Sequence, residues 1–236
     1  MKKIIIATIF IYATFHCLGQ SSEDYFFSAD SMYSLHNYQG AIEAYSKAIN
    51  LNKNYANAYH NRGDAKNVLQ DYKGAIADYS LTIKLQPDNI NSYYKRGINK
   101  DRLHDFNGAI SDYNQCLRLN SKNGNVYLLR GLAKVEIKDY KGAITDYNQA
   151  IKINSKNGDA YYAMGVLKAE KLQDFGGALF DFNKFVEIRP QSPDGYYSRG
   201  LLKIGMGQKQ SGCLDLNKAG ELGYKEAYIL IEKLCK

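Results

Sequence analysis

The sequence lacks the side-chain arrangements from which most enzymes are built. Beyond residue 19 its histidines are His36, His60 and His104, and none stands at metal-ligand spacing from another histidine or a cysteine. There is no phosphate-cradling glycine loop, no serine in a nucleophile elbow and no isolated pair of acids. We therefore expect no catalytic, cofactor-binding or metal-ligating residues, and no enzyme. Strong charge is missing too: 31 basic against 24 acidic residues give +7 over 236 residues. The basic residues are spread along the chain, where a solvated helix face accounts for them, so a nucleic-acid partner is not expected. Tryptophan is absent, against 21 tyrosines. That imbalance asks for an explanation.

No apolar run is long enough to span a bilayer. The longest extends from Ile4 to Phe15, about a dozen residues where roughly 20 are needed. It follows Lys2 and Lys3 and precedes small residues near Gly19, the layout of a secretory signal peptide over residues 1–19. Cleavage there would leave a net charge of +5, no integral span, and an exported, periplasmic or secreted protein. Cys17 admits a lipid-anchored alternative, but Phe15 and His16 before it depart from the small residues that precede a lipidated cysteine.

What the chain does have is a period. Gly63, Gly97, Gly131 and Gly165 are each 34 residues apart, and Gly200 follows after 35 because one residue has been inserted. Ala41, Ala75, Ala109, Ala143 and Ala178 run in phase with them. Such a period marks stacked copies of one supersecondary unit. The units are 22–55, 56–89, 90–123, 124–157, 158–192 and 193–226, with a cap over 225–236. In the fourth, VYLLRGLAKVEI reads as a first helix, KD as a tight turn and YKGAITDYNQAIKI as a second helix. Tyr140, Ala143, Ile144, Tyr147, Ala150 and Ile151 have the spacing of one buried helical face. The small residues suit a close crossing of two antiparallel helices. Tyr59, Tyr93, Tyr127, Tyr161 and Tyr196 on first helices, and Tyr45, Tyr79, Tyr113, Tyr147 and Phe182 on second helices, fill the space beside it. This explains the tyrosines without a ligand.

The pattern Tyr127, Gly131, Tyr140, Ala143, Tyr147 and Ala150 resembles the tetratricopeptide repeat, and the resemblance covers residues 22–226. It implies an all-α, right-handed superhelical solenoid of six antiparallel helix pairs plus a C-terminal capping helix. Its inner groove, lined by first helices, would bind a peptide or a partner protein. The proline that usually closes each unit survives only as Pro87 and Pro190. Groove positions carried over from the family are polar early in the chain, at Asn57, His60, Asp64 and Asn67. Later they become apolar: Tyr94, Ile98, Leu128, Leu132, Val135, Tyr162, Val166, Tyr197, Leu201 and Ile204. Repeats that grip acidic chaperone tails use groove lysines and asparagines; Leu128, Leu132 and Glu136 in those places exclude that partner class. An apolar stripe favours a hydrophobic segment of another protein, although the same side chains could instead pack against neighbouring helices or a capping element. The open functional alternatives are a scaffold in a bacterial envelope complex, a periplasmic chaperone-like module that shields hydrophobic client segments, and a lipid-tethered form. Nothing in the sequence sets the oligomeric state.

Arg62, Arg96, Arg130 and Arg199 each precede a repeat glycine, with Asp78, Asp112, Asp146 and Asp215 sixteen residues on. We expect these to pair within each repeat, the alternative being a row of phosphate-binding arginines. Repeat one has Ser28 and Ala44 there, and repeat five keeps Asp181 but has Met164. The segment KAGELGYKEA is similar to SEL-like repeats and leads into a final helix. Hairpin geometry about Gly223 predicts a disulfide between Cys213 and Cys235, and the small-residue core position of Cys116 predicts a buried, unreactive thiol.

Overall fold

The computed structural model describes residues 20–235; the expected signal peptide and Cys17 lie outside the described residues. Thirteen α-helices and no strand occur among them. The described residues form two compact units, one running up to His104 and the other starting at Asp105. The first holds α1 (Ser22–Ser34), α2 (Tyr38–Leu51), α3 (Ala56–Val68), α4 (Tyr72–Leu85) and α5 (Ile90–Arg102). The second begins with α6 (Phe106–Leu119), α7 (Gly124–Glu136), α8 (Tyr140–Ile153) and α9 (Gly158–Leu167), which continues as a π-helical turn over Lys168–Leu172. It ends with α10 (Phe175–Ile188), α11 (Pro193–Gly205), α12 (Lys209–Glu221) and α13 (Glu226–Leu234). The order is that of six helix pairs followed by one terminal helix.

The same local chemistry starts and stops the helices of each repeat. Asn37, Asp71, Asp105, Asp139 and Asp174 cap second helices by accepting a hydrogen bond from the backbone N–H of Gly40, Gly74, Gly108, Gly142 and Gly177. Those glycines leave room for the cap, since a Cβ on Gly74 or Gly142 would stand 2.1 Å from the second carboxylate oxygen, Oδ2, of the capping aspartate. The residue before each cap is left-handed: φ is 61° at His36, 62° at Gln70, 61° at His104, 63° at Lys138 and 55° at Gln173. It ends the first helix with paired backbone bonds such as Lys138 N–H to the Val135 carbonyl and Asp139 N–H to the Lys134 carbonyl, the Schellman arrangement. The last repeat uses glycine there, Gly207 at 81°.

The core is a ladder of aromatic rings. Tyr45, Tyr79, Tyr113, Tyr147 and Phe182 are buried on successive second helices, and Leu216 takes that place in the sixth repeat. The repeat glycines are small because these rings lie on them. A Cβ at Gly63 would stand 2.9 Å from the Tyr79 ring, at Gly131 2.5 Å from Tyr147 and at Gly165 2.8 Å from Phe182. The direct backbone approach expected at the glycine occurs in repeat six, where leucine replaces the ring and a Cβ on Gly200 would stand 2.9 Å from the Gly212 carbonyl.

Repeats two, four and six share a buried ion cluster. Arg130 reaches Asp146 with two parallel bonds, Nε to Oδ2 at 2.9 Å and an Nη to Oδ1 at 2.5 Å, while Lys134 adds a contact at 2.8 Å. Arg62 with Lys66 holds Asp78, and Arg199 with Lys203 holds Asp215, in the same way. The other guanidinium nitrogen reaches back to the preceding repeat, to Ser46, Asn114 or Asn183, and the cation lies over Tyr59, Tyr127 or Tyr196. These three arginines are committed to the scaffold rather than free for phosphate. In repeat five Met164 packs in the core, and Asp181, fully buried, keeps Lys168 at 2.7 Å. Burial raises its carboxyl pKa, with Lys168 opposing.

Helix α13 closes the second unit against α12. It brings Cys213 and Cys235 to 5.8 Å between Cα atoms, with the sulfurs at bonding distance. Cys116 is buried as a thiol, and loss of water pushes its pKa up to about 12. No helix among the described residues is long and apolar enough to cross a membrane.

Candidate functional site

The first helices carry one equivalent position per repeat, Asp30, Asp64, Ile98, Leu132, Val166 and Leu201, which in the first two repeats meets the hydroxyl of the buried ring. This series changes character along the chain. In the first unit the acids are bound into the scaffold: the Tyr45 hydroxyl donates to Asp30, as does Asn61 Nδ2 at 3.0 Å. The Tyr79 hydroxyl donates to Asp64 at 2.7 Å, and Lys95 reaches its other oxygen. Burial and these acids raise the pKa of both phenols. His60 joins the network, with Nδ1 2.7 Å from Ser92 Oγ and Nε2 3.8 Å from Asp64. Burial lowers its pKa against the pull of Asp64. The result is a polar recess of 320 Å³ lined by Asp30, Tyr33, Ser34, Tyr45, Asn61 and Asp64. Its main hydrogen-bonding capacity is spent internally.

The series turns apolar at Ile98, still in the first unit, and stays so through Leu132, Val166 and Leu201. In repeats five and six the ring with a hydroxyl is gone as well, replaced by Phe182 and Leu216. Here the chain opens a cavity of 610 Å³ between repeats five and six. Val166, Phe182, Leu201 and Leu202 contribute its apolar lining, with Phe175 and Met206 at one side. Tyr197 and Tyr224 lie with ring centroids 4.4 Å apart, and Tyr162 is tied to Ser198 by a 3.1 Å hydrogen bond. The π turn supplies Ala169 and Glu170, and the start of α11 supplies Asp194. The single inserted residue of the array is thus absorbed at the wall of this cavity, a common location for π-helical turns.

The ten groove residues expected from the sequence are not all brought together. Tyr162, Val166, Tyr197 and Leu201 line the cavity. Leu128 and Val135 are half-buried against the core of Tyr147, Met164 and Leu167. Leu132 is 42% exposed, and Ile204 lies against Gly212 on the neighbouring helix. Tyr94 and Ile98, both half-buried, belong to the first unit. Reading from the repeat pattern missed Phe175, Glu170, Asp194 and Tyr224, which come from the insertion, helix starts and cap, where the period gives no guide. It also missed Phe180 and Leu214, at equivalent places on α10 and α12 and 57% and 68% exposed. Earlier repeats carry Glu43, Ala77, Ser111 and Thr145 there, so the internal alignment held that signal. No group of His, Cys, Asp and Glu among the described residues is arranged to hold a metal ion.

Comparison with known proteins agrees with this geometry. Two family models match the chain: a TPR repeat over residues 29–67 and 131–171, and a tetratricopeptide repeat over 56–89 and 90–123. The chain belongs to the tetratricopeptide repeat family. Proteins of that family are as a rule binding scaffolds rather than catalysts. Among solved structures, a crystal structure of MamA is 28% identical with a TM-score of 0.65, over 70% of this chain and 96% of that one. YrrB, described as a TPR protein with an unusual peptide-binding site, is 23% identical with a TM-score of 0.65, over 82% and 100%. A tetratricopeptide repeat protein from Parabacteroides merdae is 18% identical with a TM-score of 0.68, over 92% and 100%. The latter two, at these identities, bear on the fold alone. No curated protein matches the sequence.

Proposed function

We propose that this tetratricopeptide repeat protein is an exported scaffold that docks a segment of another protein at the cavity between repeats five and six, within a bacterial envelope complex. One observation carries the docking reading. The inserted residue, taken up in the π turn, and the replacement of the tyrosine ring by Phe182 both fall at the lining of one cavity. A scaffold that only had to be stable would gain nothing by departing from its pattern twice in one place. Export rests on Lys2, Lys3 and the apolar run from Ile4 to Phe15. An oxidising compartment suits a disulfide between Cys213 and Cys235, which we include in the proposal.

The test is site-specific photocrosslinking in cells, with a photoreactive phenylalanine at Leu201 or, as control, at the 40% exposed Ile153. The reading expects a discrete adduct at Leu201 that is lost when Val166 is changed to glutamate. Equal labelling at both positions would refute it. Mass determination of the mature N-terminus tests export separately: loss of residues 1–19 supports it, and a cell-retained chain beginning at Met1 overturns it.

A further inference from the structure

We infer that the segment docked in this cavity presents a bulky apolar side chain next to a lysine or arginine, an inference that rests on the docking reading above. The apolar half of the argument is the lining formed by Val166, Phe182 and Leu201, within a volume suited to one large side chain and its neighbours. The cationic half comes from charge. Glu170 and Asp194 stand at the cavity, and no lysine or arginine is among its lining residues, in a chain where basic residues outnumber acidic ones. The nearby cations are engaged elsewhere: Lys168 with Asp181, and Arg199 and Lys203 with Asp215. Lys171 lies 3.7 Å from Glu170 with both groups exposed, a contact of little strength in water. Asp194 has only a long 3.4 Å bond from Ser192 Oγ.

Aromatic rings share the lining with the two acids. Tyr162, Tyr197 and Tyr224 offer ring surface to a cation, and such contacts strengthen as water leaves. Loss of water first, then Tyr197, Glu226 and Asp194, raises the Tyr224 phenol. The π turn has a direct consequence here, because it brings Glu170 to the cavity. An acidic segment would meet two carboxylates and no cation in the lining, whereas a purely apolar one would make no use of either carboxylate.

Fluorescence anisotropy of the purified protein with four dye-labelled nonapeptides tests the inference. All share a Gly/Ser background, with Lys-Phe, Gln-Phe, Glu-Phe or Lys-Ser at the centre. Lys-Phe should bind tightest, about three- to tenfold better than Glu-Phe, as two rim-exposed pairs allow. The preference should shrink between 50 and 500 mM salt, conditions that screen exposed charge. The double variant Glu170→Lys/Asp194→Lys, with unchanged circular dichroism, should invert the order of Lys-Phe and Glu-Phe. If all three phenylalanine peptides bind equally and Leu201→Glu abolishes them, the cationic requirement is wrong and the docking reading stands. If no peptide binds, or Leu201→Glu changes nothing, both fall.

Discussion

Replacing Arg130 with alanine should destabilise the protein by about 3 kcal/mol, and the structure shows why the figure is that large. Asp146 is 1% exposed, so its carboxylate depends on protein partners. The substitution removes two charge-assisted bonds to it, one bond to Asn114 in the previous repeat and the cation over Tyr127. Breaking a buried pair from one side costs about 3–5 kcal/mol because the surviving charge is left without its counter-ion. Lys134 remains at 2.8 Å and keeps Asp146 partly compensated, which pulls the estimate to the lower end of that range. At about 2–4 °C per kcal/mol for a protein of this size, the melting temperature should fall by about 6–12 °C. Urea titration followed by circular dichroism measures the change, with exposed Lys141→Ala on the following helix as the control. A cycle with Asp146→Asn separates the pair from simple loss of packing. A loss below about 1 kcal/mol, or two single substitutions whose effects add without coupling, would refute the assignment of Arg130 as a mooring for the repeat.

The glycines separate into two classes that alanine should distinguish. Gly131→Ala places a methyl group 2.5 Å from the Tyr147 ring and should cost about 1–3 kcal/mol, whereas Gly176→Ala has open space and should stabilise by about 0.5 kcal/mol, both read from urea midpoints. The His60 pKa is held below 6.5 in the folded state, so its contribution is full above 6.5 and is lost as pH falls toward the lowered value. Melting curves at pH 7.5 and 5.5 should show that loss, and His60→Gln should reduce it. Bridging Cys213 to Cys235 across 22 residues should stabilise the closed form by about 3 kcal/mol in the chain-entropy treatment. Reductant should therefore lower the melting temperature of the native protein and leave Cys213→Ser/Cys235→Ser unmoved.

Much of the scaffold was legible because its requirements recur on side chains. Glycine under a ring, alanine in the core and arginine sixteen residues before aspartate repeat with the period, and Gly200 with Arg199 and Asp215 shows the glycine and the charge pair resuming after the insertion. The left-handed turn was harder to see. Its requirement falls on the backbone, and His36, Gln70, Lys138 and Gln173 satisfy it with unlike side chains. Lys66, Lys134 and Lys203 were hidden for another reason: lysine on a helix is ordinarily solvated, so its sequence position gave no sign of the buried acid it serves. The groove was the least legible part. A 34-residue period places Leu128, Leu132 and Val135 on first-helix faces, yet two of these three pack into the core.

Stability and the candidate site compete for the same positions in repeat five. In repeats two, four and six an arginine and a lysine both hold the buried aspartate, and the arginine also ties the repeat to the one before it. Asp181 has the lysine alone, supplied by Lys168 at the first residue of the π turn. The turn that brings Glu170 and Ala169 to the cavity therefore begins at the residue that keeps Asp181 compensated. Lys168 keeps the register of Lys134, three residues after its repeat glycine, so the insertion falls beyond the lysine and leaves its contact with the buried aspartate in place. With one cation fewer on that aspartate, repeat five should open at lower cost than repeat four, a difference that hydrogen exchange of the two repeats measures.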